Sequence, residues 1–178
     1  MQNIFLIGYM GAGKTAIGKR MANHLGRQFV DMDLFIENRY RKTVSEIFAD
    51  KGEVFFREIE RNILQEIAPF ENTVISTGGG VPCFFDNMDL MNRTGTTVYL
   101  KVSVNELVRR LIACKQDRPL IKDKSREELK RYIAANLDKR EIWYNRAAII
   151  FPAENMRTQE SVDAMIADLI QRINEKET

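Results

Sequence analysis

The segment Gly8-Tyr9-Met10-Gly11-Ala12-Gly13-Lys14-Thr15 fits the pattern G-x-x-x-x-G-K-[ST]. Glycines at these places let the backbone curl until successive N–H groups point inward at an anion, with no Cβ to block a phosphate oxygen. A helix starting directly afterwards presents its positive end to the same anion. Lys14 is then placed at the β- and γ-phosphates, and the Thr15 hydroxyl can ligate Mg2+. Gly11, Ala12, Gly13, Lys14, Thr15 and Ala16 form the expected nucleotide-binding set, with ATP as the nucleotide. The plainer alternative is a glycine-rich turn with a chance Lys-Thr. An apolar run before the loop and an amphipathic stretch after it favour the phosphate cradle.

Such a loop does not say what receives the phosphoryl group, because switches, motors and small-molecule kinases share it. Asp31-Met32-Asp33 closes a second apolar run, where ligands of open parallel sheets gather. One carboxylate near Mg2+ (Asp31) and one near an acceptor hydroxyl (Asp33) is the chemical reading; helix N-caps are the alternative. Thr77-Gly78-Gly79-Gly80 follows a third run that lacks the usual metal-facing Asp, a place Asp31 can take. Consecutive glycines are entropically costly and make sense where a ligand rests on bare backbone; a tight turn needs fewer. Arg57 and Glu60, three apart, share a helix face and read either as a solvated ion pair or as part of a site. Arg118 and Arg140 suit carboxylate and phosphate alike.

The elements that must position these groups alternate along the chain. Short β-branched runs at Ile4–Ile7, Gln28–Val30, Thr73–Ser76, Val98–Val102 and Ala148–Phe151 predict strands. Helical patterns are expected near Lys14–Leu25, Leu34–Arg41, Val44–Asp50, Arg57–Ile67, Asn105–Ala113, Glu127–Tyr144 and Ser161–Ile173. Thr43-Val44-Ser45-Glu46 and Ser125-Arg126-Glu127-Glu128 both have capping-box form. Strands alternating with helices imply an α/β fold with a parallel sheet covered on both faces. The charged, Pro-interrupted stretch between Cys114 and Ser125 breaks the rhythm and reads as a mobile lid or a disordered loop.

The chain's 178 residues suit one domain, 1–178, and 27 Lys+Arg against 25 Asp+Glu give a net charge of +2. That balance argues against a nucleic-acid or anionic-membrane binder. Two cysteines cannot make a disulfide scaffold, and no apolar run resembles a signal segment or membrane span, so a cytoplasmic protein is expected. His24, the only histidine, sits near a helix end before Gly26 and offers no basis for a zinc site. Cys83 reads as an inert thiol, and Phe48, Phe55, Phe56, Trp143 and Tyr144 as packing residues.

Taken in order and spacing, Gly8–Thr15, Asp31-Met32-Asp33, Phe56-Arg57-Glu58-Ile59-Glu60, Gly78-Gly79-Gly80, Arg118-Pro119-Leu120 and Arg140 with Tyr144 resemble the shikimate kinases. The resemblance runs from Ile4 to about Ile150. It implies a three-layer sandwich of nucleoside monophosphate kinase type, with five parallel strands in the order 2-3-1-4-5. It further implies a monomer that moves the ATP γ-phosphoryl to the 3-hydroxyl of shikimate. The shikimate-binding region would span about 31–62 and the lid about 112–125. By the same resemblance Asp33 contacts the substrate hydroxyls and acts as base. Arg57 and Arg140 clamp its carboxylate with Gly78, Gly79 and Gly80 in support, and Glu60 holds Arg57. Arg118 is the lid arginine reaching phosphate, Arg110 stacks near adenine, and Arg157 lies on the adenine-side loop. The family's Arg-x-Pro-Leu-Tyr reads Arg140-Glu141-Ile142-Trp143-Tyr144 here, without the Pro. A kinase for another small acceptor such as gluconate, and a nucleotide-binding regulatory module, are the alternatives.

Overall fold

A computed structural model describes residues 2–114, 124–154 and 156–177. Five parallel strands, β1 (Asn3–Ile7), β2 (Gln28–Asp31), β3 (Thr73–Ser76), β4 (Gly95–Lys101) and β5 (Ile149–Pro152), form one sheet in the order β2-β3-β1-β4-β5. Every residue of β1 and β3 is buried although neighbours along a strand point to opposite faces, so the sheet is covered on both sides. Ile4, Phe5, Leu6, Ile7, Val74 and Ile75 are fully enclosed and make the centre of the core.

Among the described residues seven α-helices connect and flank these strands: α1 (Lys14–Leu25), α2 (Met32–Tyr40), α3 (Val44–Ile67), α4 (Asn87–Thr94), α5 (Val104–Ala113), α6 (Arg126–Tyr144) and α7 (Gln159–Glu177). α1 packs across β2 and β3 at Gly18, where a methyl group would lie 2.5 Å from the Phe29 ring. Gly26, in the left-handed conformation, ends α1 just beyond His24. Both capping boxes form: Thr43 with Glu46 starts α3 and Ser125 with Glu128 starts α6. No helix among the described residues is long and apolar enough to cross a membrane.

Three local expectations need correction. The two helices anticipated at 44–50 and 57–67 are one, α3, bent at Gly52, whose backbone (φ 79°, ψ 176°) leaves the helical region. α4 and a short 3-10 turn at Val81–Cys83 have no counterpart in the sequence reading. α4 has few apolar residues, and its N-cap Asp86 makes no side-chain capping bond. β4 begins three residues early, at Gly95 beside Asn3, because a methyl group at Gly95 would lie 2.4 Å from the Asn3 carbonyl oxygen. Only glycine permits that approach.

Candidate active site

Three adjacent strands, β2, β3 and β1, deliver their C-terminal ends side by side, with Asp31 and Leu6 both opposite Ser76. Beyond that rung both the Thr77 N–H and the Thr77 hydroxyl donate to the Leu6 carbonyl at 3.1 Å, binding the glycine loop to the root of the phosphate loop. In the phosphate loop Gly8, Gly11 and Gly13 hold φ of 141°, 82° and 98°, values open to glycine. Lys14 Nζ donates to the carbonyls of Gly8 (2.8 Å) and Tyr9 (3.1 Å), which keeps the amine over the loop.

Asp31 is the N-cap of α2 and keeps its second oxygen for another partner. Its Oδ1 caps α2 by accepting from the Asp33 and Leu34 N–H groups at 3.1 and 3.3 Å. Its Oδ2 accepts the Thr15 hydroxyl at 2.6 Å. The cap therefore fixes the carboxylate that faces the start of α1, and Asp33 follows on the first turn of α2, exposed.

The glycine loop is packed against the charged groups that the sequence singled out. A methyl group on Gly78 would fall 2.7 Å from Glu60 Oε1 and 2.9 Å from Asp33 Oδ1, so both carboxylates converge there. On Gly80 it would fall 2.3 Å from Arg57 Nη1, and on Gly79 it would touch Arg140 Nη1 and the Gly8 carbonyl at 3.5 Å each. Asp33, Arg57, Glu60 and Arg140 thus reach one short backbone segment adjoining the phosphate loop. Tyr144, fully buried against Tyr99, donates its hydroxyl to the Gly79 carbonyl at 2.5 Å and anchors the segment from α6.

Arg57 Nη1 donates to Glu60 Oε2 at 2.7 Å, and Glu53 takes its other edge. Burial pushes the Glu60 carboxyl up to about 7, against the pull of Arg57. Burial also pushes the Cys83 thiol up to about 11, which keeps it protonated beside these arginines. The Arg140 guanidinium lies over the Tyr9 ring at 5.3 Å, and Arg57 over Phe84 at 4.4 Å. Glu53, Tyr9 and Phe84 are site residues that sequence reasoning missed; only Glu53 carried a signal, its spacing of four from Arg57.

Arg110 is used edge-on. It donates to Ala12 (3.1 Å), Gly11 (3.4 Å), Ala153 (2.6 Å) and Glu154 (2.9 Å) carbonyls, and to Glu106 at 2.8 Å. It therefore ties the phosphate loop to the segment after β5. Arg157 is exposed just ahead of α7, and its neighbour Met156 lies against Gly13, where a methyl group would be 2.7 Å from the sulfur. Arg118 and most of the expected lid fall in 115–123, outside the described residues.

A phosphate loop beside an arginine-lined acceptor cleft, on a parallel sheet of order 2-3-1-4-5, defines a small-molecule kinase of the nucleoside monophosphate kinase fold. Comparison with known proteins narrows this. A family model described as shikimate kinase matches residues 10–172. A shikimate kinase of Parabacteroides distasonis is 58% identical over 91% of this chain and 94% of its own length. The crystal structure of shikimate kinase from Bacteroides thetaiotaomicron superposes with a TM-score of 0.95 at 48% identity, covering 97% of this chain and 98% of that one. Shikimate kinase from Acinetobacter baumannii, solved in complex with shikimate, gives 0.84 at 31% identity over 100% and 96%. The chain belongs to the shikimate kinase family. Its reaction is the ATP-dependent phosphorylation of shikimate in the aromatic pathway, with ATP as co-substrate.

Proposed function

We propose that the cleft works by gripping its two substrates at opposite ends and meeting the moving charge between them. Backbone N–H groups of Gly11, Ala12, Gly13, Lys14, Thr15 and Ala16, together with the Lys14 amine, hold the ATP phosphates. The flat face of Arg110 and the side chain of Arg157 attend the adenine. Arg57 and Arg140 hold the shikimate carboxylate, with Gly78, Gly79 and Gly80 as backbone support and Glu60 fixing Arg57. Asp33 orients the 3-hydroxyl and takes its proton as that oxygen attacks the γ-phosphorus. The bond from that phosphorus to the β,γ-bridging oxygen breaks, and ADP leaves. Arg118, on a lid at about 112–125, neutralises the charge that builds on the leaving side, and closure excludes water.

The Thr15 hydroxyl and the Asp31 carboxylate, 2.6 Å apart, are hard oxygen donors that fit Mg2+. No cluster of three or more His, Cys, Asp or Glu side chains able to hold a metal exists among the described residues. That matches an ion carried largely by phosphate oxygens and water. When bound, Mg2+ supplies charge neutralisation on the phosphates. The protein acts as a single-domain monomer, 1–178, in the cytoplasm, on a small molecule rather than on nucleic acid or a membrane, and about 31–62 form its shikimate-binding region.

The observation that carries these assignments is the convergence of Asp33 and Glu60 on Gly78 and of Arg57 on Gly80. Coupled ADP release with the purified protein tests them. Shikimate should raise turnover far above background while gluconate and nucleoside monophosphates do not, and Asp33→Ala should abolish turnover with ATP binding kept. Turnover in Asp33→Ala near the wild-type level would refute the role given to Asp33.

A further inference from the structure

α3 carries Glu53, Arg57 and Glu60 on one stripe, at spacings of four and three residues, so both carboxylates reach the same guanidinium. A guanidinium has five N–H groups in a rigid plane. Arg57 spends Nε–H and one Nη2–H on a single oxygen, Glu53 Oε1, at 3.2 and 2.9 Å. It spends one Nη1–H on Glu60 Oε2 at 2.7 Å. Among the described residues these bonds leave one N–H on each terminal nitrogen for a further acceptor. Phe84 covers a face of the same group at 4.4 Å.

Glu60 alone cannot fix the plane, because one hydrogen bond leaves rotation about it. The second, two-pronged contact from Glu53 does. Its local origin is the bend in α3: Gly52 interrupts the helix, and Glu53 opens the segment that continues to Arg57 one turn later. A Glu placed N-terminal to an Arg at this spacing is the favoured orientation.

We infer that Glu53 is a positioning residue for shikimate recognition, holding the Arg57 plane so that its remaining N–H groups are presented to the substrate carboxylate. This rests on the assignment of Arg57 to that carboxylate. Glu53 is 58% exposed at its side chain, so its ion pair adds little to stability and its value lies in orientation.

Steady-state kinetics with double-mutant cycles test it. Glu53→Ala should raise the KM for shikimate about five- to tenfold, the cost of immobilising one long side chain on binding. The kcat and the KM for ATP should stay within about twofold and the melting temperature should hold. Glu53→Gln should keep near-wild-type KM, since both bonds go to one oxygen and an amide carbonyl supplies it. In an Arg57→Ala background Glu53→Ala should add nothing. An unchanged KM overturns the proposal. So does a fall in KM, which would make Glu53 a competitor of the substrate, or an effect that persists without Arg57. If Arg57→Ala itself leaves the shikimate KM unchanged, it is the assignment of Arg57 that fails. Should Glu53→Ala not fold, Glu53→Leu removes the acceptor while keeping bulk and carries the same comparison.

Discussion

Gly80→Ala offers a clean perturbation of the proposed carboxylate grip. Gly80 has an ordinary right-handed backbone (φ −88°, ψ −23°), so alanine adds no backbone strain. Its methyl group, however, would lie 2.3 Å from Arg57 Nη1, 2.7 Å from Cζ and 2.9 Å from Nη2, where ordinary contact begins at 3.4 Å. The guanidinium must retreat by about 1.1 Å. Its Glu60 partner is held at 2.7 Å with a side chain only 2% exposed and cannot follow. Losing one charge-assisted bond inside the protein costs about 1–3 kcal/mol. For a chain of this length that lowers the melting temperature by roughly 2–4 °C per kcal/mol. A displacement near 1 Å in a substrate clamp also costs up to about 100-fold in catalytic efficiency. The expected result is a shikimate kcat/KM reduced about 10- to 100-fold with an unchanged KM for ATP. Gly26→Ala serves as control: its φ of 64° gives strain, nothing lies within 4 Å, and it should lower stability without touching shikimate KM. A Gly80→Ala enzyme with wild-type kcat/KM would refute the packing argument.

Asp33→Asn keeps the shape of the side chain and removes its basicity; kcat should fall by about 100- to 10,000-fold with ATP affinity intact by calorimetry. Lost ATP affinity would show that Asp33 serves the nucleotide instead. Tyr144→Phe strands the Gly79 carbonyl, so stability should drop by about 1–3 kcal/mol in denaturant titrations and shikimate KM should rise. For Glu60 the sign follows from its raised value. A carboxyl at about 7 when folded and 4.5 when free contributes stability that is full below 4.5 and lost as pH climbs through 7. Relative to Glu60→Gln, the wild type should therefore lose on the order of 3 kcal/mol between those pH values and change little above them. A difference that grows with pH would be incompatible with burial as the dominant cause.

The central strands were legible because they are apolar on both faces, as a parallel sheet buried on both sides demands; Ile4–Ile7 and Val74–Ile75 leave no other reading. The helix starts at Thr43 and Ser125 were legible because the capping box is a local device. What escaped was set by distant contacts. Gly95 starts a strand only because Asn3 comes close, and α4 is held by packing that its own pattern barely signals. In the site, motif positions such as Thr15, Asp31 and Gly78 were visible from spacing. Tyr9 and Phe84 were not, since nothing in their sequence neighbourhood says that an arginine from another helix will lie over their rings. For Asp31 the cap reading holds, and it does not use up the side chain: one oxygen caps α2 while the other accepts the Thr15 hydroxyl.

The doubled tether from Thr77 to Leu6 has an evolutionary consequence. The glycine loop and the phosphate loop spring from adjacent strands, so their separation cannot drift without breaking the hydrogen bonds between β1 and β3. Whatever ring or chain a descendant of this scaffold came to phosphorylate, the new fit would have to be carved from the helices following β2, while that separation stayed constant.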